Sequence, residues 1–184
     1  MKNEIRRPEL LSPAGNFEKL RAALLYGADA VYCAGQSFGM RSAADNFTVE
    51  ELYEASKYVH ERGKRLYLTL NTMPHSDEYP ALEQFLNDIK DAGIDALIVA
   101  DLGVMQLVKR ILPSTEIHIS TQAGIVSAEA ALAYVALGAR RIVLARELTL
   151  DEIRAIRAAI PDDVEIEAFI LSAALKASSS ERPG

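Results

Sequence analysis

Short apolar segments and longer amphipathic segments alternate along most of the chain. Seven short segments are rich in valine, isoleucine, leucine or tyrosine: PELLSPAG, DAVYCAG, RLYLTLN, DALIVAD, EIHISTQ, RIVLARE and EIEAFI. Runs of this length and composition are typical of strands buried in a parallel sheet. Between them, apolar residues recur at helical spacing, as at Leu82, Phe85, Leu86 and Ile89. The pattern predicts seven strands with one helix in each of the six intervals.

Signals for the starts and ends of helices support this interpretation on separate chemical grounds. Thr48 with Glu51, and Thr149 with Glu152, have the spacing of a capping box, in which a hydroxyl and a carboxylate bind early backbone N–H groups. Glycine or proline follows each predicted helix, at Gly27, Gly63, Gly93, Pro113, Gly138 and Pro161. These residues favour the end of a helix. Every predicted helix therefore leads into the next strand within a few residues.

Strict alternation of strands and helices predicts parallel strands joined by right-handed crossovers. Two architectures fit this order, a closed barrel and an open doubly wound sheet. An open sheet often carries a G-x-G-x-x-G fingerprint in its first turn, where this chain has SPAGNF. We therefore predict an α/β fold of the TIM-like (β/α) barrel type.

The length of the units predicts that this barrel is incomplete. The segments that begin near Glu9 and Glu165 enclose six units, and eight units of that size need about 208 residues, the low end for a barrel. We expect about seven parallel strands and six or seven helices in a barrel domain over residues 1–170. A divergent alanine- and serine-rich tail over residues 171–184 would follow, as a seventh short helix or as the end of a truncated domain. The unpaired strand edges predict pairing with another chain, such as a second copy.

Composition narrows the class of protein. The chain has 184 residues, of which 49% are hydrophobic and 25% charged, with a formal net charge of -6. This acidic balance disfavours indiscriminate binding to phosphate backbones or anionic membranes, but leaves a specific RNA partner open. No signal peptide or membrane-length apolar run is present, and Cys33 is the single cysteine, so we expect a cytoplasmic protein without a metal site or cofactor in this chain.

The candidate site residues follow the predicted strands, because barrel enzymes place their chemistry at the carboxyl ends of strands and in the loops after them. The predicted substrate-binding residues are Arg41, Asn71, Asp101, Ser120, Gln122, Arg146 and Glu147. Asp101 has two interpretations, a helix cap or a base, and the cap is the commoner role. Arg146 and Glu147 either form an ion pair or bind a ligand. Asn71 either fixes a polar ligand or bridges its own turn.

Other constellations give weaker signals. His118 and Ser120 lie two apart on a predicted strand, which invites a hydrolase interpretation, but no third group or oxyanion hole is evident. His118 is expected to point inward if its isoleucine neighbours face helices. Cys33 is either a nucleophile with a lowered pKa or a buried strand residue, and burial is the default. His75 is expected in a solvated loop. No lysine ends a predicted strand, so a Schiff-base aldolase lacks its nucleophile.

Six blocks of sequence, in order, resemble the amino-terminal half of peptidase family U32, the collagenase-like proteases. They are ELLSPAGNFEKLRAALLYGADAVYCAG, FGMRSAADNFTVEEL, LYLTLNTM, DALIVADLGVMQL, HISTQA and GARRIVLARELTLDEI, and the resemblance runs from residue 9 to about residue 170. It implies a bacterial or archaeal cytoplasmic protein with a TIM-like barrel. Members carry a protease label, while relatives hydroxylate RNA bases or the ubiquinone ring, some with an iron–sulfur cluster and with prephenate as the apparent oxygen source.

The resemblance stops short of the family's functional signature. After a strand like EIEAFI, family members continue with a His-Gly pair and then cysteines, whereas this chain has Leu171, Ser172 and Leu175 there. We interpret this departure as a truncation inside the seventh unit. The intact protein is then expected to act in RNA base hydroxylation rather than to cut peptides. The alternatives are a non-catalytic fragment or interaction module that pairs through open edges, and a small-molecule barrel enzyme of another family.

Overall fold

Strands and helices alternate through the whole described part of the chain. The computed structural model describes residues 7–36 and 46–169. Within these ranges lie seven strands: β1 (Leu11–Pro13), β2 (Ala30–Ala34), β3 (Arg65–Leu70), β4 (Ala96–Val99), β5 (Glu116–Ile119), β6 (Arg141–Val143) and β7 (Glu165–Glu167). The same ranges hold six α-helices: α1 (Phe17–Leu25), α2 (Val49–His60), α3 (Tyr79–Asp88), α4 (Leu102–Ile111), α5 (Ala128–Ala136) and α6 (Leu150–Ala159).

The predicted fold class is confirmed. The described strands are parallel wherever their pairing is resolved, and each pair of successive strands encloses one helix. Seven strands are one fewer than a closed TIM barrel contains. The candidate residue Arg41 and the predicted tail over residues 171–184 lie outside the described residues.

The described residues divide into two compact units, with the boundary between His118 and Ile119. In the first unit, β1, β2, β3 and β4 lie side by side in chain order. The register places Tyr32 of β2 opposite Tyr67 of β3, and Tyr67 opposite Ala96 of β4. Because side chains alternate between the two faces of a sheet, this register fixes which residues of neighbouring strands share a face.

The two faces of this sheet have different chemistry. On one face, Tyr67 packs in a buried cluster with Ala30, Ala96 and Ile98. The alternate residues of β3 are fully buried leucines, namely Leu66, Leu68 and Leu70. They occupy the opposite face, and α2 packs against β3. Both faces of β3 are therefore buried, which explains its nearly continuous apolar sequence.

The helix boundaries follow the signals in the sequence. Both predicted capping boxes form: Thr48 and Glu51 start α2, and Thr149 and Glu152 start α6. Gly27 follows α1 with a φ of 97°, a left-handed conformation that costs least for glycine. No helix in the described ranges is long and apolar enough to cross a membrane.

A buried polar network lies at the amino-terminal end of β3, on the face that carries Tyr67. The Tyr67 hydroxyl lies 2.9 and 3.0 Å from the two carboxylate oxygens of Glu9. Arg65 approaches Glu9 at 3.8 Å and Glu116 at 3.1 Å. The Tyr67 ring meets His118 edge to face, with ring centroids 4.8 Å apart. His118 is 0% exposed and points to the same face as Tyr67, as the flanking isoleucines predict.

The second unit has a comparable ionic contact. Strand β6 pairs in parallel with β7, and Arg141 stands opposite Glu165. Arg141 is only 4% exposed, and its Nε donates to Glu165 at 2.8 Å while Nη1 donates to Glu167 at 3.3 Å. A buried guanidinium needs such partners, because an unpaired buried charge is strongly destabilising.

Replacing Tyr67 with phenylalanine tests the network in the first unit. We expect Tyr67→Phe to lower the free energy of unfolding by about 1–3 kcal/mol, because the buried hydroxyl contacts both oxygens of Glu9 and packing is otherwise kept. Urea denaturation measures the loss. The control is Tyr53→Phe, because the exposed Tyr53 also donates its hydroxyl to a carbonyl, that of Asp88, at 3.0 Å. The loss in this variant should stay within about 0.5 kcal/mol. Equal losses in the two variants would contradict a special role for the Tyr67 hydroxyl.

Candidate functional site

The carboxyl ends of β3 and β4 bring two of the predicted site residues to one edge of the first unit. Leu70, the last residue of β3, pairs with Val99, the last residue of β4. Asn71 follows Leu70 directly, and Asp101 stands two positions after Val99. Both side chains are partly exposed. The register therefore places an amide and a carboxylate at neighbouring strand ends, where barrel enzymes bind their substrates.

Asp101 caps α4, as its commoner role predicts. Its Oδ1 accepts a hydrogen bond from the Val104 backbone N–H at 2.9 Å. The same oxygen accepts a second hydrogen bond from the Tyr79 hydroxyl, also at 2.9 Å. Burial, followed by the hydrogen bond to Asp101, raises the pKa of the Tyr79 phenol. Tyr79 thus stays protonated at neutral pH and acts as a hydrogen-bond donor.

Gly103 makes room for this contact. A Cβ atom built on Gly103 would overlap the phenolic oxygen of Tyr79 and lie 3.1 Å from its ring carbon Cζ. Any side chain at position 103 would therefore displace Tyr79 or α4. We call Tyr79, Asp101 and Gly103 the rim clasp, since they join the start of α3 to the start of α4. Sequence reasoning found Asp101 and missed the other two residues.

Asn71 does not bridge its own turn. Its amide makes no hydrogen bond with the residues that the structure describes. The loop after it is closed instead by Glu78, whose Oε2 accepts from the His75 N–H at 2.6 Å and whose own N–H donates to the His75 carbonyl at 2.9 Å. His75 is exposed, as expected for a solvated loop. Among the described residues, no donor or acceptor therefore occupies the Asn71 amide.

In the second unit, Ser120 directly precedes a short 3-10 helix, Thr121–Ala123, and Gln122 lies within it. Ser120 is buried, and its Oγ accepts from the Gln122 backbone N–H at 3.3 Å. Ser120 thus caps this helix. The Gln122 side chain is exposed. Thr121 donates to the Leu144 carbonyl at 3.2 Å, which joins the turn to the end of β6.

Arg146 and Glu147 do not form an ion pair with each other, which was one of the two interpretations of these residues. The Arg146 guanidinium lies over the Phe169 ring, 4.5 Å from its centroid. Within the described residues, neither Arg146 nor Glu147 takes part in a salt bridge, and both are exposed. Of the two interpretations, ligand binding therefore stays open for both.

Cys33 lacks the properties of a nucleophile. It is 3% exposed, and burial raises the pKa of its thiol to about 12. Its register partner in β3 is Leu68, so it lies on the face that the leucines occupy. The default interpretation, a buried strand residue, is confirmed. This single cysteine also does not fit an iron–sulfur cluster, which needs several thiolates. Within the described ranges, no group of three histidine, cysteine or acidic residues is arranged to hold a metal ion.

Ser56, His60 and Asp95 form a row of polar contacts that the sequence analysis did not predict. His60 Nε2 lies 2.9 Å from Asp95 Oδ2, and His60 Nδ1 lies 3.5 Å from the Ser56 hydroxyl. Ser56 is only 2% exposed and donates to the Gly93 carbonyl at 3.0 Å. Asp95 also accepts from the Leu66 N–H at 2.7 Å. A hydrolytic serine must reach its substrate, so this row joins α2 to the sheet rather than forming a catalytic triad.

The row borders a surface groove of about 440 Å³, lined by Tyr53, Glu54, Ser56, Lys57, His60, Asp91, Ala92 and Gly93. Asp95 directly precedes β4, so the groove lies near the amino-terminal ends of the strands. In barrels this end mainly supports stability, whereas ligands bind at the other end. The only signal in the sequence was the spacing of Ser56 and His60, four apart on one helix.

Comparison with known proteins connects the chain to one family. The model of peptidase family U32 matches residues 15–182. Over 165 residues the chain is 42% identical to tRNA hydroxylation protein P1 of Bacillus subtilis (strain 168), covering 90% of this chain and 39% of that protein. Over 175 residues it is 42% identical to the 23S rRNA 5-hydroxycytidine C2501 synthase of Escherichia coli (strain K12), covering 95% of this chain and 26% of that protein. The chain thus spans well under half of either relative.

A solved structure shows the same fold. The U32 peptidase Mk0906 superimposes with a TM-score of 0.71 at 18% sequence identity, covering 91% of this chain and 70% of that chain. Likeness at this identity supports the fold, and the family assignment rests on the family model and the sequence relatives.

The rim clasp can be tested by a double-mutant cycle. We expect Gly103→Ala to destabilise the protein by about 1–3 kcal/mol through overpacking. Tyr79→Phe should recover part of that loss in the double variant, because it removes the oxygen that the new methyl group would overlap. Denaturation of the four proteins measures the coupling. Additive losses would show that Gly103 and Tyr79 do not share one space.

The buried state of Cys33 predicts its reactivity. In the folded protein at pH 8 the thiol should resist iodoacetamide, because its pKa of about 12 keeps it protonated and its side chain is inaccessible. In urea it should react readily, since an unperturbed thiol has a pKa of about 8.5. Mass spectrometry counts the carbamidomethyl groups that are added, and the Cys33→Ser variant, which has no thiol, is the control. Rapid labelling of the folded protein would contradict the burial.

Proposed function

Because this chain belongs to peptidase family U32, we propose that the protein acts in the hydroxylation of RNA bases. The observation that carries the proposal is the 42% identity, over 90% and 95% of this chain, to two relatives whose names describe tRNA hydroxylation and 5-hydroxycytidine synthesis in rRNA. Both matches span nearly all of the chain, so the matched regions cover the strand ends as well as the core.

The described residues support a binding role for this part of the protein. Asn71 and Asp101 lie at one carboxyl edge, and Gln122, Arg146 and Glu147 follow strands β5 and β6 in the second unit with exposed side chains. Amide, carboxylate and guanidinium groups bind polar ligands by hydrogen bonds and charge.

The peptidase name of the family has less support from the chemistry of this chain. Cleavage of a peptide bond requires an activated nucleophile or a metal-bound water. The side chains of Cys33, Ser56 and Ser120 are buried, and the described residues contain no candidate metal cluster. The alternative of a non-catalytic module that pairs through sheet edges stays a prediction.

Analysis of cellular RNA tests the proposed function. We expect tRNA or ribosomal RNA from cells that lack the full-length gene to lose a nucleoside heavier by one oxygen atom than its parent, and the wild-type gene to restore it. Complementation with a gene that carries Asn71→Ala should restore about two- to tenfold less of this nucleoside, because the variant loses about one hydrogen bond to the substrate. Asn87→Ala, on the exposed surface of α3, is the matched control. Liquid chromatography with mass spectrometry measures the nucleoside.

The contrary result has two parts. Unchanged nucleosides in every strain, together with digestion of gelatin by the purified full-length protein, would reject RNA hydroxylation in favour of proteolysis.

A further inference from the structure

We propose that Phe169 and Arg146 form a stacking platform for an unpaired nucleobase at the carboxyl ends of β6 and β7. The choice of ligand class rests on the proposed function, whereas the platform itself rests on a measured contact between the two side chains. The proposal gives Arg146 a defined ligand contact, and it adds Phe169, which the sequence analysis did not select.

The pairing of β6 with β7 brings these two side chains together. The register places Val143 opposite Glu167. The Leu144 N–H continues this pairing beyond β6 and donates to the Glu167 carbonyl at 3.0 Å. Arg146 and Phe169 each follow two positions later, and the guanidinium lies 4.5 Å from the centroid of the phenyl ring. The two side chains therefore meet at the strand ends where barrel enzymes bind their ligands.

The ring of Phe169 keeps surface for a second planar group. Phe169 is 42% exposed, and among the described residues no other aromatic ring contacts it. Covering an exposed aromatic ring removes apolar surface from water, and aromatic groups prefer to do so by stacking or edge-to-face contact. A flat ligand can therefore gain binding energy here.

Another arginine of the chain makes the same kind of contact in a structural role. Arg21 lies over the Phe17 ring at 5.0 Å and over the Tyr58 ring at 5.5 Å. These two rings meet edge to face with centroids 5.5 Å apart, so the cluster joins α1 to α2. Arg146 and Phe169 instead lie in loops after two strands, so packing between helices does not explain their contact.

The guanidinium of Arg146 keeps its hydrogen-bonding capacity. Within the described residues it takes part in no salt bridge or hydrogen bond, whereas Arg65, Arg110 and Arg141 each contact a carboxylate. Stacking uses the face of a guanidinium, and its N–H donors lie in the plane of the group. These donors remain for the polar atoms of a stacked ligand.

An unpaired nucleobase fits this pair better than an isolated anion. Proteins that bind single-stranded RNA stack bases on phenyl rings and on guanidinium planes, and the platform supplies both. Glu147 is exposed beside Arg146, and its negative charge offsets part of the attraction for a phosphate. Stacking should therefore contribute more than charge. The platform should accept any base, since every base has a flat π face.

Nuclear magnetic resonance titration of the isotope-labelled chain tests the platform. Millimolar cytidine, uridine and adenosine should shift the Nε–H signal of Arg146 and the backbone amide signals of residues 144–147 and 167–169. Adenosine should bind at least as strongly as the pyrimidine nucleosides, because its larger ring covers more of the platform. Ribose 5-phosphate, which has no base to stack, should bind about tenfold more weakly than adenosine.

Two variants separate stacking from charge. Phe169→Leu should weaken adenosine binding about tenfold, because it removes the ring and keeps an apolar side chain. Arg146→Lys keeps the charge without the planar group and should weaken binding about threefold. The controls are Tyr26→Leu, which removes an 85% exposed ring directly after α1, and Arg154→Lys on the surface of α6. Both controls should bind adenosine like the wild type, and spectra without ligand check that every variant is folded.

Four outcomes would overturn the proposal: no nucleoside-dependent shifts at these residues, equal binding of ribose 5-phosphate, wild-type binding by Phe169→Leu, or tighter binding of glycyltyrosine than of adenosine, which would indicate a peptide site. Nucleoside binding at the platform without any change in cellular RNA would support the platform and reject the proposed function. Altered cellular RNA without nucleoside binding at these residues would reject the platform and leave the proposed function standing.

Discussion

The parallel register of β2, β3 and β4 is the constraint on which the first unit depends. It places Tyr67 between Tyr32 and Ala96, and so assigns each residue of β3 to one of two buried faces. A slip of one residue would move Tyr67 to the face that the leucines occupy and Leu68 into the polar network. Neither exchange is tolerable, because the Tyr67 hydroxyl and the Arg65 guanidinium would both lose Glu9, and a leucine would take the place of Tyr67 beside His118. The same register aligns the carboxyl ends, which brings Asn71 and Asp101 to one edge.

The two ends of these strands use their polar groups differently. At the amino-terminal end, charged groups contact one another: Asp29 accepts from Lys64 at 3.0 Å, and Arg65 contacts both Glu9 and Glu116. The Leu10 N–H, followed by Lys64, lowers the pKa of Asp29, which indicates that its carboxylate is held in the charged form. At the carboxyl-terminal end, the Asn71 amide and Asp101 Oδ2 have no such partners among the described residues. Among the described residues, the charged groups at one end therefore stabilise the sheet, and the other end is the one at which barrel enzymes in general bind their ligands.

Local features of this structure could be predicted from the sequence, and contacts between distant segments could not. The capping boxes at Thr48 and Thr149 involve residues three apart, so the sequence contains the whole interaction. The Asp101 cap is equally local. The clasp joins Tyr79 to Asp101 across 22 positions, and its geometry depends on the loop after β3. The same holds for His60 and Asp95, which are 35 positions apart. Strand lengths also escaped prediction, since an eight-residue apolar segment yields only the three residues of β1.

The chemistry at the strand ends favours holding a ligand over attacking one. A site for bond cleavage needs an accessible nucleophile with a lowered pKa, whereas the thiol of Cys33 is buried with a raised pKa and the hydroxyl of Ser56 donates to a carbonyl. A binding site needs polar groups within reach of solvent, and the side chains of Asn71 and Asp101 are both partly exposed. Burial keeps both Cys33 and Ser56 away from any substrate, whereas the polar groups of Asn71 and Asp101 reach solvent, so exposure separates the two kinds of chemistry within the described residues.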